Sequence, residues 1–279
     1  MELGAITEPV DPLASERPLI MGILNVTPDS FSDGGRFFDF DKACEHGLEM
    51  AREGADVVDV GGESSRPGAD PVPEAEEIRR VIEVVSVLAP VVRVSVDTVK
   101  PAVAEAAVGA GATLINDVSA TLAQLSADLG VGWVAMHSRG NPANMSSLVD
   151  YSDVVGEVME FLASQATAAK DLGVAEVWVD PGIGFAKTAE QNLALLAATR
   201  RLSGLGFPLL VGTSRKSFLG QLTSWQGEIP PPQDRFEASL ATATWAMLEG
   251  ARMVRVHDVP AAVDAASVVH ATRDASHRL

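Results

Sequence analysis

Polar side chains recur at one kind of place in this sequence, the last residue or two of short apolar runs. Asn25 follows Leu19 to Leu24, and Ser65 and Arg66 follow Ala55 to Val60 after two glycines, a glutamate and a serine. Asp97 closes a run from Val91, Asn116 one from Thr113, His137 one from Trp133, and Asp180 one from Glu176. Ser214 and Lys216 follow Pro208 to Val211, and Arg255 and His257 lie in Met253 to His257. These residues divide into two chemistries. Arg66, Lys216, Arg255 and His257 can carry positive charge and, with the Asn25 amide, suit the oxygens of a phosphate-type group. Arg255 and His257 are two apart on one strand, so they share a face. Asp97, Asn116 and Asp180 can accept from and donate to the edge of a flat, amine-rich heterocycle whose faces Met136 and Phe185 could cover. Such groups are costly to bury unless a ligand satisfies them. A single polar strand end is ordinarily a helix cap, and Asp97 and Asp180 both precede expected helix starts. Eight on one rim are not explained by capping.

The elements that must position them alternate. Expected strands over 19–24, 55–60, 91–96, 113–115, 133–136, 176–179, 208–211 and 253–256 are short and β-branched, as in a parallel sheet buried on both faces. Between them the periodicity predicts helices over 41–53, 74–88, 121–129, 151–172, 190–202, 235–250 and 260–271, with a short one opened by Pro101 and closed by Gly109 to Gly111. Eight repeats in one domain length point to an α/β fold of the (β/α)8 TIM-barrel kind, a single domain over 19–273 preceded by an extension over 1–18 that we expect to be flexible. A doubly wound open sheet is the runner-up. It would show a glycine-rich phosphate loop after its first strand, where Asn25 and Pro28 stand instead. Barrel enzymes work at the C-terminal ends of their strands, the rim where these polar residues collect.

Composition narrows the chemistry. The 279 residues are 47% hydrophobic, with 38 acidic against 21 basic side chains and a formal net charge of −17. That balance argues against nucleic acid or an anionic membrane surface as a partner, so an anionic substrate needs cations gathered locally. The first 18 residues lack the pattern of a signal peptide, and no apolar run is long enough to span a bilayer. The single cysteine, Cys44, fits a reducing cytoplasm. Five histidines without zinc-ligand spacing leave magnesium, held by a few protein oxygens and substrate phosphates, as the expected cation. Trp133, Trp178 and Trp245 are expected to be packing residues. Trp225, on a polar excursion over 223–233, is expected to be exposed, as are His46, His270 and His277.

Seven motifs then carry a family resemblance: NVTPDSFSDGG from Asn25, GGESSRPGA from Gly61, SVDT from Ser95, INDVS from Ile115, DPGIGFAKT from Asp180, GTSRKSF from Gly212 and RVHDV from Arg255. In this order they resemble dihydropteroate synthases from about Leu19 to the last helix. The resemblance implies condensation of 6-hydroxymethyl-7,8-dihydropterin diphosphate with 4-aminobenzoate. By motif position it implies a pterin site of Asp97, Asn116, Met136, Asp180, Phe185, Gly212 and Lys216. The diphosphate would fall to Asn25, Ser65, Arg66, Arg255 and His257, with Mg2+ at Asn25. The aminobenzoate would fall to Ser65, Arg66, Pro67, Phe185, Lys216 and Ser217, and catalysis to Asn25, Asp97, Lys216, Arg255 and His257. It also implies a homodimer and a sulfonamide target.

Some positions depart from the commonest pattern. Ser65 stands where many relatives have Thr, Ala120 where a Gly-Gly is frequent, and Ala238-Ser239 where Gly-Ser is frequent, but the charged set is complete. A pterin-dependent corrinoid methyltransferase shares the barrel but leaves Asn25, Arg255 and His257 unexplained. A catalytically silent pterin-binding paralogue would be expected to have lost charged residues that are present here.

Overall fold

The computed structural model describes residues 17–26, 36–64 and 68–276. Eight parallel strands are present among them: β1 Leu19–Asn25, β2 Val57–Gly61, β3 Arg93–Asp97, β4 Leu114–Asp117, β5 Gly132–Met136, β6 Val177–Asp180, β7 Leu210–Val211 and β8 Met253–Val256. The hydrogen-bonded order is β6-β5-β4-β3-β2-β1-β8-β7. A parallel bridge between Val179 and Leu209, with Val179 N donating to Pro208 O at 3.0 Å, closes the ring between β6 and β7. The barrel expected from the alternation is therefore formed, and the open sheet is not.

The helices are α1 Arg36–Arg52, α2 Glu74–Leu88, α3 Pro101–Gly109, α4 Ala123–Leu129, α5 Val154–Asp171, α6 Ala189–Ala197, α7 Thr199–Ser203, α8 Ser217–Leu222, α9 Phe236–Leu248 and α10 Val259–Ser276. The single helix expected over 190–202 is two, parted at Ala198, whose backbone N–H is shared among the carbonyls at the end of the first. α1 begins five residues before the expected start and α10 ends five after the expected stop. Thr188 starts α6 with a reciprocal capping box to Gln191.

Strand parity divides the core in two. Leu19, Met21, Val57, Leu114, Val134, Trp178, Leu210 and Met253 form one buried cluster, the filling of the bore. The alternate residues, among them Ile20, Val58, Val94, Ile115 and Trp133, pack against the helices. Below the filling, at the N-terminal end, Arg93 makes a two-pronged pair with Glu176 (2.9 and 2.5 Å), and Glu176 also accepts from Trp178 Nε1 at 2.7 Å. Arg17 makes a similar pair with Asp56 (2.8 and 2.9 Å), so the end of the expected extension is tied to the barrel. Residues 1–16 lie outside the described residues.

Trp133 and Trp178 are fully buried as expected, whereas Trp245 on α9 is 47% exposed and is not a core residue. The excursion over 223–233 contains a tight turn in which Trp225 and Glu228 exchange backbone hydrogen bonds around Gln226 and Gly227, both at positive φ. Trp225 itself is exposed. No described helix is long and apolar enough to cross a membrane.

Candidate active site

Above the apolar filling, the same inward parity carries the polar set. Asn25 is aligned with Gly61, and Gly61 with Asp97, across β1, β2 and β3. A Cβ at Gly61 would lie 3.5 Å from Asp97 Cβ and 3.8 Å from Asn25 Oδ1, so the glycine sits between these two side chains. On the other side of the bore, a Cβ at Gly212 would lie 3.6 Å from that of Arg255. Glycines at the ends of β2 and β7 keep the mouth open beside the functional side chains.

Arg255 reaches across the bore. Its Nε donates to Asp59 Oδ2 at 2.6 Å and its Nη2 to Asp97 Oδ2 at 2.8 Å. Asp59 Oδ2 also accepts from Asn116 Nδ2 at 2.9 Å. Four strands thus meet in one polar cluster, which contains three of the residues expected from sequence and one, Asp59, that was not. Asp59 lies inside the run ADVVDV rather than at its end, so attention to strand ends passes over it. Its parity with Val57 and Gly61 places it in the bore and would have found it. Its Oδ1 and the Oγ of Ser95, its cross-strand neighbour, are buried without a protein partner. Buried polar atoms of that kind are satisfied by water or a ligand.

Burial pushes Asp97 up to about 7; the Arg255 charge opposes this, and Asp59 and Glu77 reinforce it. Burial likewise raises Asp180, against the pull of Lys216 and of a hydrogen bond from Gly182 N at 2.7 Å. Burial brings Lys216 down to about 8 although Asp180 and Asp97 favour its charged form. For Arg255 burial works against the charge, but Asp59 and Asp97 outweigh it and leave the group raised. The site therefore holds acids that resist ionising and a lysine that readily loses its proton, the signature of a desolvated chemical centre. Neither acid is a helix cap: α3 is preceded by Lys100 and α6 by Thr188.

The loop after β6 forms one wall. Lys216 Nζ lies 4.2 Å from the Phe185 ring centroid and donates to Ile183 O. Lys216 follows Arg215, which is held at φ 59° by Ser239 Oγ on its N–H (2.9 Å) and by an ion pair to Asp258 (2.8 Å). Ser217 begins α8 and is exposed beside Lys216. Met136 is buried at the end of β5 with inward parity. At the end of β8, Ser214 Oγ lies 2.9 Å from His257 Nδ1 and 3.2 Å from His257 N.

One expectation changes, and a second residue is already paired. Arg255, expected on the diphosphate, is engaged by Asp59 and Asp97. His137, expected on the rim, follows the inward Met136 and leaves the bore. Its ring packs edge-on against Phe161 of α5 at 5.0 Å, and its Nδ1 meets Lys187 at 3.0 Å. Ser65, Arg66 and Pro67 lie outside the described residues. Flanking them, Glu63 accepts from Val72 N at 2.6 Å and from Lys100 Nζ at 2.7 Å. Among the described residues no three His, Cys, Asp or Glu side chains are grouped to hold a metal ion.

Comparison with known proteins fits this geometry. The family model for "Pterin binding enzyme" matches residues 21–257. The dihydropteroate synthase of Mycobacterium leprae is 46% identical over 262 residues, 90% of this chain and 92% of that protein. The structure of Xanthomonas albilineans dihydropteroate synthase with 4-aminobenzoic acid superposes with a TM-score of 0.84 at 47% identity, covering 92% of this chain and 93% of that one. The same enzyme in complex with 7,8-dihydropteroate gives a TM-score of 0.81 at 44% identity, over 92% and 94% of the two chains. With its barrel, its inward polar cluster and these relatives, the chain belongs to the dihydropteroate synthase family of pterin-binding enzymes.

Proposed function

We propose that the protein joins 6-hydroxymethyl-7,8-dihydropterin diphosphate to 4-aminobenzoate, releasing pyrophosphate and forming 7,8-dihydropteroate. The observation that carries this reading is the bonded cluster of Asp59, Asp97, Asn116 and Arg255 in the bore, with Asp180 and Lys216 beside it. Carboxylates and an amide at this depth can pair with the edge of a pterin. Met136, Phe185 and Arg255 supply surfaces for its faces, and Gly212 leaves room beside Arg255.

An aromatic amine is neutral at pH 7 and needs no strong base to act as a nucleophile. The demanding step is cleavage of the bond between the exocyclic methylene and the diphosphate oxygen. As it breaks, positive charge spreads from the methylene into the pterin ring, and Asp97 and Asp180 stabilise it electrostatically. Asn25 and His257, at the mouth, bind the departing diphosphate, and Arg255 exchanges part of its carboxylate contact for those oxygens. The amine nitrogen then bonds to the methylene and gives up a proton. Phe185, Lys216 and Ser217, with Ser65, Arg66 and Pro67, form the aminobenzoate seat, where the cations pair with its carboxylate.

Mg2+ fits the donor chemistry: Asn25 would supply one hard oxygen at the mouth, and the diphosphate and water the rest. When bound it neutralises charge on the leaving diphosphate. The protein acts as a homodimer in the cytoplasm; supporting the first, α9 exposes Phe236, Trp245 and Leu248 and α10 exposes Val268. Mass spectrometry of the product formed from the two substrates tests the reading. Dihydropteroate is the expected product; saturable pterin binding without it would identify a silent paralogue.

A further inference from the structure

Lys187 is the one buried lysine among the described residues, and the reaction above gives it no task. Its Nζ donates to Phe185 O at 2.9 Å, Gly182 O at 3.0 Å and His137 O at 3.2 Å, and it meets His137 Nδ1 at 3.0 Å. When Lys187 is charged, Nδ1 can face it only as an acceptor, which puts the proton of the neutral ring on Nε2. Burial, then the charges of Lys187 and Arg139, press the His137 pKa down to about 3, so the ring stays neutral. Burial lowers Lys187 itself to about 7, with Asp180 opposing and Lys216 and Arg139 adding to the effect.

This cation joins two successive loops, those after β5 and β6. The tight loop after β6 has its backbone groups assigned one by one. Gly182 O and Phe185 O go to Lys187, and Ile183 O goes to Lys216. Gly182 N goes to Asp180 Oδ1 and Gly184 N to Asn192 Oδ1, both at 2.7 Å. At Gly182, φ is 63° and a Cβ would lie 1.9 Å from His137 O, so the two loops touch where no side chain fits. Carbonyl oxygens converging out of water repel one another unless a cation gathers them.

We propose that Lys187 is a positioning residue: its ammonium holds residues 182–185 in the conformation that aims the Asp180 carboxylate and presents the Phe185 ring and the Ile183 carbonyl to Lys216. It thereby sets the seats of pterin and aminobenzoate without touching either. The proposal rests on the reading of Asp180, Phe185 and Lys216 given under Proposed function.

The test compares Lys187→Met, Lys187→Arg and Glu176→Gln, the last loosening the opposite end of the barrel. For each variant, the Kd for 6-hydroxymethylpterin is measured by calorimetry, KM for 4-aminobenzoate by turnover, and the unfolding temperature by scanning. Lys187→Met is expected to raise Kd and KM by about 10-fold or more, as misplaced binding groups do. Lys187→Arg, which keeps the charge, recovers part of the loss, and Glu176→Gln loses stability with both constants unchanged. Wild-type constants in Lys187→Met, or equal shifts in Glu176→Gln, would overturn the proposal. If Lys187→Met does not fold, His137→Leu and His137→Asn decide. Asn places an acceptor near the position of Nδ1, so it should hold KM while Leu raises it, and equal effects would refute the role. Failure of wild-type protein to bind the pterin would instead refute the function, and amide exchange at residues 182–185 would still report whether Lys187 orders the loop.

Discussion

Asp59 on β2 accepts the Nε hydrogen of Arg255 on β8 at 2.6 Å, across 196 residues of sequence, and Asp59 is wholly buried. Removing one partner of such a pair leaves the other without its counter-charge, which costs about 3–5 kcal/mol in buried sites. Asp97 still holds Arg255, so the lower end of that range is expected. Asp59→Asn should therefore unfold at lower urea by about 3 kcal/mol and lose turnover at least 10-fold. Stability and turnover both near wild type would show that the pair does not organise the bore.

The carboxylates in this cluster predict a pH response with two opposed signs. Asp97 is raised to about 7 and Asp180 is raised as well, so between about pH 4 and 7 the folded protein holds more protons than the unfolded chain. The Asp97 contribution to stability is present at low pH and is lost as pH rises through about 7, and that of Asp180 has the same sign. Activity moves the other way, because the ionised carboxylate is the form that stabilises a pterin cation. The ligand-free protein should lose stability from pH 4 to 7 more steeply than Asp97→Asn. The kcat/KM of the wild type should rise through an acid limb near 7.

Two glycines in one loop should respond differently. An alanine Cβ at Gly182 would meet His137 O, a backbone atom, at 1.9 Å and at a φ of 63°. Gly184 is also at positive φ (87°), but there the Cβ would meet only the flexible side chain of Lys216, its Cδ at 2.5 Å. Gly182→Ala should fail to accumulate as folded protein. Gly184→Ala should fold and raise KM for aminobenzoate several-fold through displacement of Lys216, a contrast that circular dichroism and steady-state kinetics would read directly.

Much of this arrangement was legible before any coordinates. The alternation of β-branched runs with amphipathic segments specified the barrel, because a strand buried on both faces has no polar face to blur its limits. The strand-end residues Asn25, Asp97, Asn116, Asp180, Lys216 and Arg255 were legible because the chemistry of a barrel collects there. Asp59 was not, since it stands one turn of the pleat below the rim. His137 was misread because adjacent strand residues face opposite sides, and Met136 had already taken the inward place. Lys187 was passed over because three of its four partners are carbonyls, which no side-chain pattern reveals. The exposure of Trp245 went unseen since α9 is apolar around most of its circumference: Ala243, Ala246 and Met247 are buried while Phe236 and Leu248 are exposed.

That outer face of α9 supports a further test. If Trp245, Leu248 and Val268 lie between two copies of the chain, Trp245→Asp should convert a sedimenting dimer into a monomer. A wild-type monomer at micromolar concentration would end that proposal.

A reaction governed by departure of the diphosphate should depend little on the strength of the attacking amine. Across para-substituted anilines that fit the site, kcat should change much less than the amine basicity does. A steep dependence would favour an associative displacement.

The central claim is tested most directly by pyrophosphate release from the pterin diphosphate in the presence of Mg2+, measured with and without 4-aminobenzoate. The account predicts release at catalytic rates only when the aminobenzoate is present, in equal amount to the dihydropteroate formed, and strongly reduced in Asn25→Ala. Absence of release from wild-type protein that binds the pterin saturably would contradict it.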